Sequence, residues 1–173
     1  MRICLLTLSL CACALTLFAA DDVASGVVAT VKTVDKGTKT VVVKSAQGVE
    51  HTFHFVGGTV AHGTTAGSKD AFDGVKEGDQ VVVHYTEKGG VKTAEEVDHV
   101  GKGGLKGGAV VVNGIDRGAK TVAVKTADGS EESWRLTDRA ASETGKGVAK
   151  GAKVTAYYTE ESGKKVVHFF KEN

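Results

Sequence analysis

Cysteine is scarce in this chain, and what there is lies at one end. Cys4, Cys11 and Cys13 all fall within the first thirteen of 173 residues, and the only methionine is Met1. Once the N-terminal segment is removed, no disulfide can staple the fold. No thiolate can bind metal or attack a substrate, and no thioether can hold a soft ion. Stability must come from core packing and β-ladders. An excess of one charge is also missing: 22 basic residues face 21 acidic ones. The basic footprint of a nucleic-acid-binding protein is therefore absent. The glycine-rich stretch at 101–108 has neither the G-x-G-x-x-G order nor a following Gly-Lys-Ser/Thr triplet, so it does not read as a phosphate cradle. No serine or carboxylate stands in a nucleophile or metalloprotease motif. The adjacent acids Asp21/Asp22, Glu95/Glu96, Glu131/Glu132 and Glu160/Glu161 would face opposite ways on strands and cannot act as dyads. These absences predict a protein that is not an enzyme and carries no cofactor.

The N-terminal twenty residues differ from the rest. Met1 and Arg2 precede an apolar run over 3–18, Ala19 and Ala20 follow, and Asp21 and Asp22 end it. A charged start, an apolar middle and a small-residue end predict a secretory signal peptide over 1–20, cleaved near Ala20. The run is too short for a spanning helix, so no transmembrane segment is expected after cleavage. The protein is expected in the periplasm or outside the cell. Leu10-Cys11-Ala12-Cys13 also looks like a lipobox, which offers an alternative: a lipoprotein anchored through Cys13.

The remainder repeats itself. Residues 31–48 return at 112–129, with Asp35/Asp116, Gly37/Gly118, Lys39/Lys120, Thr40/Thr121 and alternate valines in register. Phe53 and Trp134 occupy the same place. A later block, 78–87, returns at 151–160. The offset falls from 81 to 73, so the first copy carries eight extra residues, placed within 57–74, where a loop can absorb them. The predicted division is a module at 21–100, a flexible Gly-rich linker at 101–107 and a second module at 108–173. Residues 21–100 carry eight lysines against twelve acids, and residues 101–173 thirteen basic residues against nine acids. Halves of net −4 and +4 could dock or associate head to tail, against the plainer reading of a mixed solvated surface.

Each copy reads as strands. Apolar residues alternate with polar ones over 26–34, 39–45 and 49–56, separated by turns at 35–38, with Gly37 taking positive φ, and at Gln47-Gly48. Phe53 and Phe55, with Trp134 and Leu136 as counterparts, are core positions. Ser68 is expected to cap a short helix through Val75, and Asp138 one ending at Gly145. Two more strands follow, 80–87 and 91–100, repeated at 153–160 and 164–170. Three strands, a short helix or loop, then two strands is the order of a five-stranded OB-type Greek-key barrel. The fold class is all-β, two such barrels in tandem, with a β-sandwich as the alternative.

The run of residues 39–48 with 76–83, and of 120–129 with 150–156, resembles the small OB-like modules of exported bacterial proteins, a family known as a domain of unknown function. In the second copy Ala152 replaces Asp79, which weakens one turn signal. The resemblance implies a barrel, a location in the envelope or outside the cell, and no known catalytic residues.

Chemistry is concentrated in the histidines: His51, His54, His62, His84 and His99 in the first copy, His168 in the second. Imidazole binds copper and zinc, and the best candidate trio is His54, His62 and His84. Their counterparts are not histidines, however: His84 is matched by Tyr157. Tyr157 is out of phase with the core aromatics and is the expected exposed ligand-binding ring. Three functions remain open. The first is a non-enzymatic envelope protein that binds a protein partner or glycan. The second is a periplasmic copper- or zinc-binding protein. The third is a self-associating surface protein.

Overall fold

A computed structural model describes residues 23–63, 71–143 and 148–173. The chain forms β1 (Val23–Asp35), β2 (Thr40–Ser45), β3 (Glu50–His62), β4 (Gln80–Lys88) and β5 (Val91–His99), with one 3₁₀ turn at Ala71–Gly74. It then forms β6 (Lys106–Asp116), β7 (Thr121–Thr126), β8 (Glu131–Leu136), α1 (Asp138–Glu143), β9 (Lys153–Glu161) and β10 (Lys164–Glu172). The first five strands close a barrel in the order β1-β2-β3-β5-β4. The last five close another in the equivalent order, β6-β7-β8-β10-β9. Each barrel closes through one parallel pair, β3 with β5 and β8 with β10. This is the expected all-β architecture, two tandem OB-type barrels.

The interiors follow from alternation. On β2, Val41 and Val43 point inward, and on β7, Val122 and Val124 do; all four are fully buried, as a period of two requires. Phe53 packs on Tyr85 with ring centroids 4.9 Å apart, and Trp134 packs on Tyr158 at the same distance. The turns match too. Gly48 and Gly129 both take positive φ, as do Lys39 and Lys120.

Three local expectations are corrected. In the 35–38 turn, positive φ falls on Lys39, not Gly37. The Asp35 carboxylate accepts the Gly37 and Thr38 N–H groups, and this Asx-type closure sets the turn. The cap of α1 is Thr137, whose Oγ1 accepts the Ala140 N–H at 3.0 Å. Ser68 and Gly145, the other expected helix-end residues, lie outside the described residues. The glycine-rich linker is a closed turn: Gly101 N donates to Leu105 O at 2.8 Å and Leu105 N to His99 O at 2.7 Å. The chain thus enters β6 already at Lys106.

Strand β4 is buried on both faces. Val81 and Val83 fill the first barrel, while Val82 and His84 point out of it and are still 0% and 1% exposed. What covers them is the second barrel. Val82, Leu105 and Tyr157 form a separate apolar cluster with Val28, Val100 and Phe169 packed against it. The barrels meet along this seam. Tyr157, expected to be exposed, is only 8% exposed. It does point out of its own barrel, as its phase requires, but into the seam rather than into water. Among the described residues no helix is long and apolar enough to cross a membrane.

Candidate functional site

Polar side chains gather at one end of the seam, and their places follow from strand phase. Asp98 lies near the end of β5, paired with Val82 on β4 and His62 on β3. Its carboxylate is 1% exposed. His62 reaches it because β3 continues past Phe55, whereas its counterpart β8 stops at Leu136. A bulge makes this extension possible: the register on β5 jumps between Phe55 and Val60. Thr59 Oγ1 closes the bulge, accepting Val56 N–H and donating to Ala94 O at 2.7 Å, a common way of re-aiming a strand.

Around Asp98 stand three imidazoles. His62 Nδ1 lies 3.0 Å from Asp98 Oδ1 and 3.1 Å from Glu96 Oε1. His84 Nε2 lies 3.7 Å from Asp98 Oδ2. His168 Nδ1, from β10 of the second barrel, lies 3.4 Å from the same Oδ2. Each of the two inner rings is held from its far side. His84 Nδ1 is 2.9 Å from Glu143 Oε2 and His168 Nε2 is 3.2 Å from Thr159 Oγ1. Arg139 Nε donates to Glu96 Oε2 at 2.9 Å. Helix α1 thus brings Arg139 and Glu143 across the seam from the second barrel. Phe169 packs edge-on to His84 at 5.8 Å.

The electrostatics follow. Burial pushes the His84 imidazole down, but its hydrogen bond to Glu143 and the nearby Asp98 and Glu143 carboxylates pull it up to about 9. Burial likewise opposes ionisation of Asp98, yet His168 and His84 hold its carboxyl well below the usual carboxylate range. Burial raises the Tyr157 phenol. Despite these attractions, Asp98 Oδ2 and His168 Nδ1 have no hydrogen-bond partner, and Glu143 Oε1 has none.

The structure separates the expected trio. His62 and His84 both belong to the Asp98 cluster, from opposite sides. His54 lies exposed on β3, paired with Thr40 and Thr93. The compact group of potential ligands among the described residues is His62, Glu96 and Asp98, with ligand atoms within 4.8 Å of one another. Sequence reasoning missed Asp98, Glu96, His168, Glu143 and Arg139. One signal was there. The run Val81-Val82-Val83 is apolar on both faces of its strand, and a strand apolar on both faces is covered on both sides.

No known protein family matches the chain, and no curated protein is similar to it. Among solved structures, the chain is similar to Ag(I)CusF, at 14% identity and a TM-score of 0.34. That match covers 44% of this chain and 96% of the other. It is also similar to apo-CusF residues 6–88 from Escherichia coli, at 15% identity and a TM-score of 0.35, covering 49% and 95%. Each match covers less than half of this chain, whereas the seam cluster draws on residues from His62 to His168.

Proposed function

We propose that this chain is an exported, non-enzymatic protein whose task is to bind a divalent transition-metal ion between its two barrels. One observation carries the reading: a buried carboxylate, Asp98, has imidazole nitrogens of His62, His84 and His168 within 3.7 Å. Neutral imidazole together with carboxylate is a donor set for zinc, copper(II), nickel or cobalt. Soft monovalent ions would want thiolate or thioether, and beyond residue 13 the chain has neither. Export rests on the charged, apolar and small-residue pattern of 1–20. Descent of the two barrels from one duplicated module is supported by their matched turns, core pairs and strand order.

Binding rather than catalysis is favoured by the space available. Thr159, His168 and Asp98 do follow the hydroxyl–imidazole–carboxylate order of a hydrolase triad. The cavity beside them, lined by His62, Asp98, Thr159 and His168, holds only about 50 Å³. Substrate pockets run to several hundred Å³, while an ion with a water fits. The envelope partner or glycan expected from sequence finds less support, because the ring meant to serve it, Tyr157, is covered.

Metal analysis and zinc, copper(II), cobalt(II) and nickel(II) titrations of the processed protein test this. The expected result is one tightly bound equivalent, weakened more than about 100-fold in Asp98→Asn, since losing a ligand costs more than losing an outer partner. Absence of binding by all four ions in the wild-type protein overturns the reading.

A further inference from the structure

Building on that reading, we propose that the ion is of the zinc class and sits at the polar end of the seam, held by His62 Nδ1, Glu96 Oε1 and Asp98 Oδ1, with a fourth position open to water. All three ligands come from the first barrel. The second barrel supplies none; its Arg139 and His168 hold the two carboxylates in place.

The set follows from strand geometry. Glu96 and Asp98 stand two residues apart on β5, so they project from one face, while Val97 between them fills the barrel. On the parallel strand β3, His62 is the direct partner of Asp98 and Val60 that of Glu96. One imidazole thus rests against two carboxylates, with Nδ1 3.0 Å from Asp98 Oδ1 and 3.1 Å from Glu96 Oε1. One donor atom from each of the three residues lies within 4.8 Å of the other two. Donor atoms about 2.0–2.2 Å from a zinc ion stand about 3.0–3.5 Å apart, so the ion can enter with little movement of the ring.

What faces each oxygen separates this position from the inner rings. The far oxygens are served by the second barrel. Arg139 Nε donates to Glu96 Oε2 at 2.9 Å, and His168 Nδ1 lies 3.4 Å from Asp98 Oδ2. His84 stands between two acids, with Glu143 2.9 Å from Nδ1 and Asp98 3.7 Å from Nε2. That setting suits a ring protonated on both nitrogens, which has no lone pair for an ion. Among the described residues, the near oxygens Glu96 Oε1 and Asp98 Oδ1 are met by His62 alone. A ring protonated on Nδ1 has one proton for two carboxylates; a ring protonated on Nε2 offers Nδ1 as a lone pair. In the second form three donor atoms converge, two of them on carboxylates only 17% and 1% exposed. A divalent ion there relieves the repulsion between the two acids. His62 itself is half exposed, so the fourth position faces water, as in zinc sites that keep one position open. Hard ions such as calcium would need six or more oxygens. Arg139 and His168 are positioning residues, each holding the oxygen of a ligand carboxylate that points away from the ion.

Crystals of the processed protein grown with zinc chloride, measured on both sides of the zinc edge, locate the ion and need no variant. The expected anomalous peak lies among His62 Nδ1, Glu96 Oε1 and Asp98 Oδ1. A peak anywhere else overturns this inference but leaves metal binding standing; no zinc in the crystal and none in titration overturns both. In solution, His62→Gln changes a half-exposed side chain, so the metal-free variant should melt close to wild type and bind zinc more than about 100-fold more weakly. A loss of less than about 3-fold counts against the site. Arg139→Gln removes no ligand and should weaken zinc by about 10- to 100-fold. Arg139→Lys, which keeps a cation beside Glu96, should recover part of that loss; no recovery would mean that Arg139 does not act through Glu96. Bound cobalt(II) should show the intense visible bands of a four-coordinate ion, and weak six-coordinate bands overturn the open fourth position. Where a variant fails to fold, the crystal decides.

Discussion

Gly26 shows how tightly single residues are fitted at the seam. It pairs with His84 across β1 and β4, and a Cβ built there would clash with the Phe169 ring. Phe169 cannot easily retreat, because it packs on His84 at 5.8 Å and Tyr157 at 6.5 Å. Gly26→Ala should therefore cost about 1–3 kcal/mol in urea unfolding, as overpacking does. Gly26→Ala/Phe169→Ala should cost less than the sum of the two single changes, because the second removes the clash. Full additivity would mean the contact is not what Gly26 protects. The same residue scale shows what sequence could and could not reveal. Phase correctly sent Phe53 and Trp134 toward the barrel interiors and Tyr157 outward. It could not tell outward from exposed, because water or a second barrel can lie on that side. Single-residue chemistry also missed Asp98, an ordinary-looking acid among twelve in the first half.

At the scale of elements, turns and strand order were the most legible features, because local chemistry sets them. Asp35 and Asp116 each accept backbone N–H groups in equivalent turns. Hydrogen bonds from Thr38, then Gly37, hold the Asp35 carboxyl below its ordinary 3.8. A depressed folded value means the ionised form stabilises the turn above pH 3.8, and that stability is lost as the pH falls through the lower folded value. Asp35→Asn keeps an acceptor oxygen but no charge. Its melting temperature should lie below that of wild type at neutral pH, and the two curves should converge as the pH drops past 3.8. Parallel curves would place the stabilisation elsewhere. The bulge in β3 was not legible. Nothing local announces that Val56–Gly57–Gly58–Thr59 interrupts a ladder rather than ending a strand. Yet the eight extra residues of the first copy mark where the copies diverge, and the divergence is what delivers His62 to Asp98.

For the whole molecule, the question is whether two barrels make one body. Each has its own core, with Val41, Val43 and Phe53 in one and Val122, Val124 and Trp134 in the other. What joins them is the seam: Val82, Leu105 and Tyr157, then the pairs Arg139–Glu96, His84–Glu143 and His168–Asp98. Two of those pairs, Arg139–Glu96 and His168–Asp98, set a basic group of the second half against an acid of the first, while His84–Glu143 runs the other way. Leu105 is the place to break them. It is 2% exposed and lies in the connecting turn, outside every strand. Leu105→Asp would put a carboxylate into the apolar cluster without disturbing either ladder. Truncating a buried leucine alone costs about 2–5 kcal/mol, and the buried charge adds to it. The barrels should then part rather than unfold. Urea unfolding should show one transition in the wild-type protein and two in the variant, and metal binding should fall because His168 no longer reaches Asp98. Two transitions with zinc affinity intact would show that the ion is held by one barrel alone. A single unchanged transition would show that the seam is not what couples them.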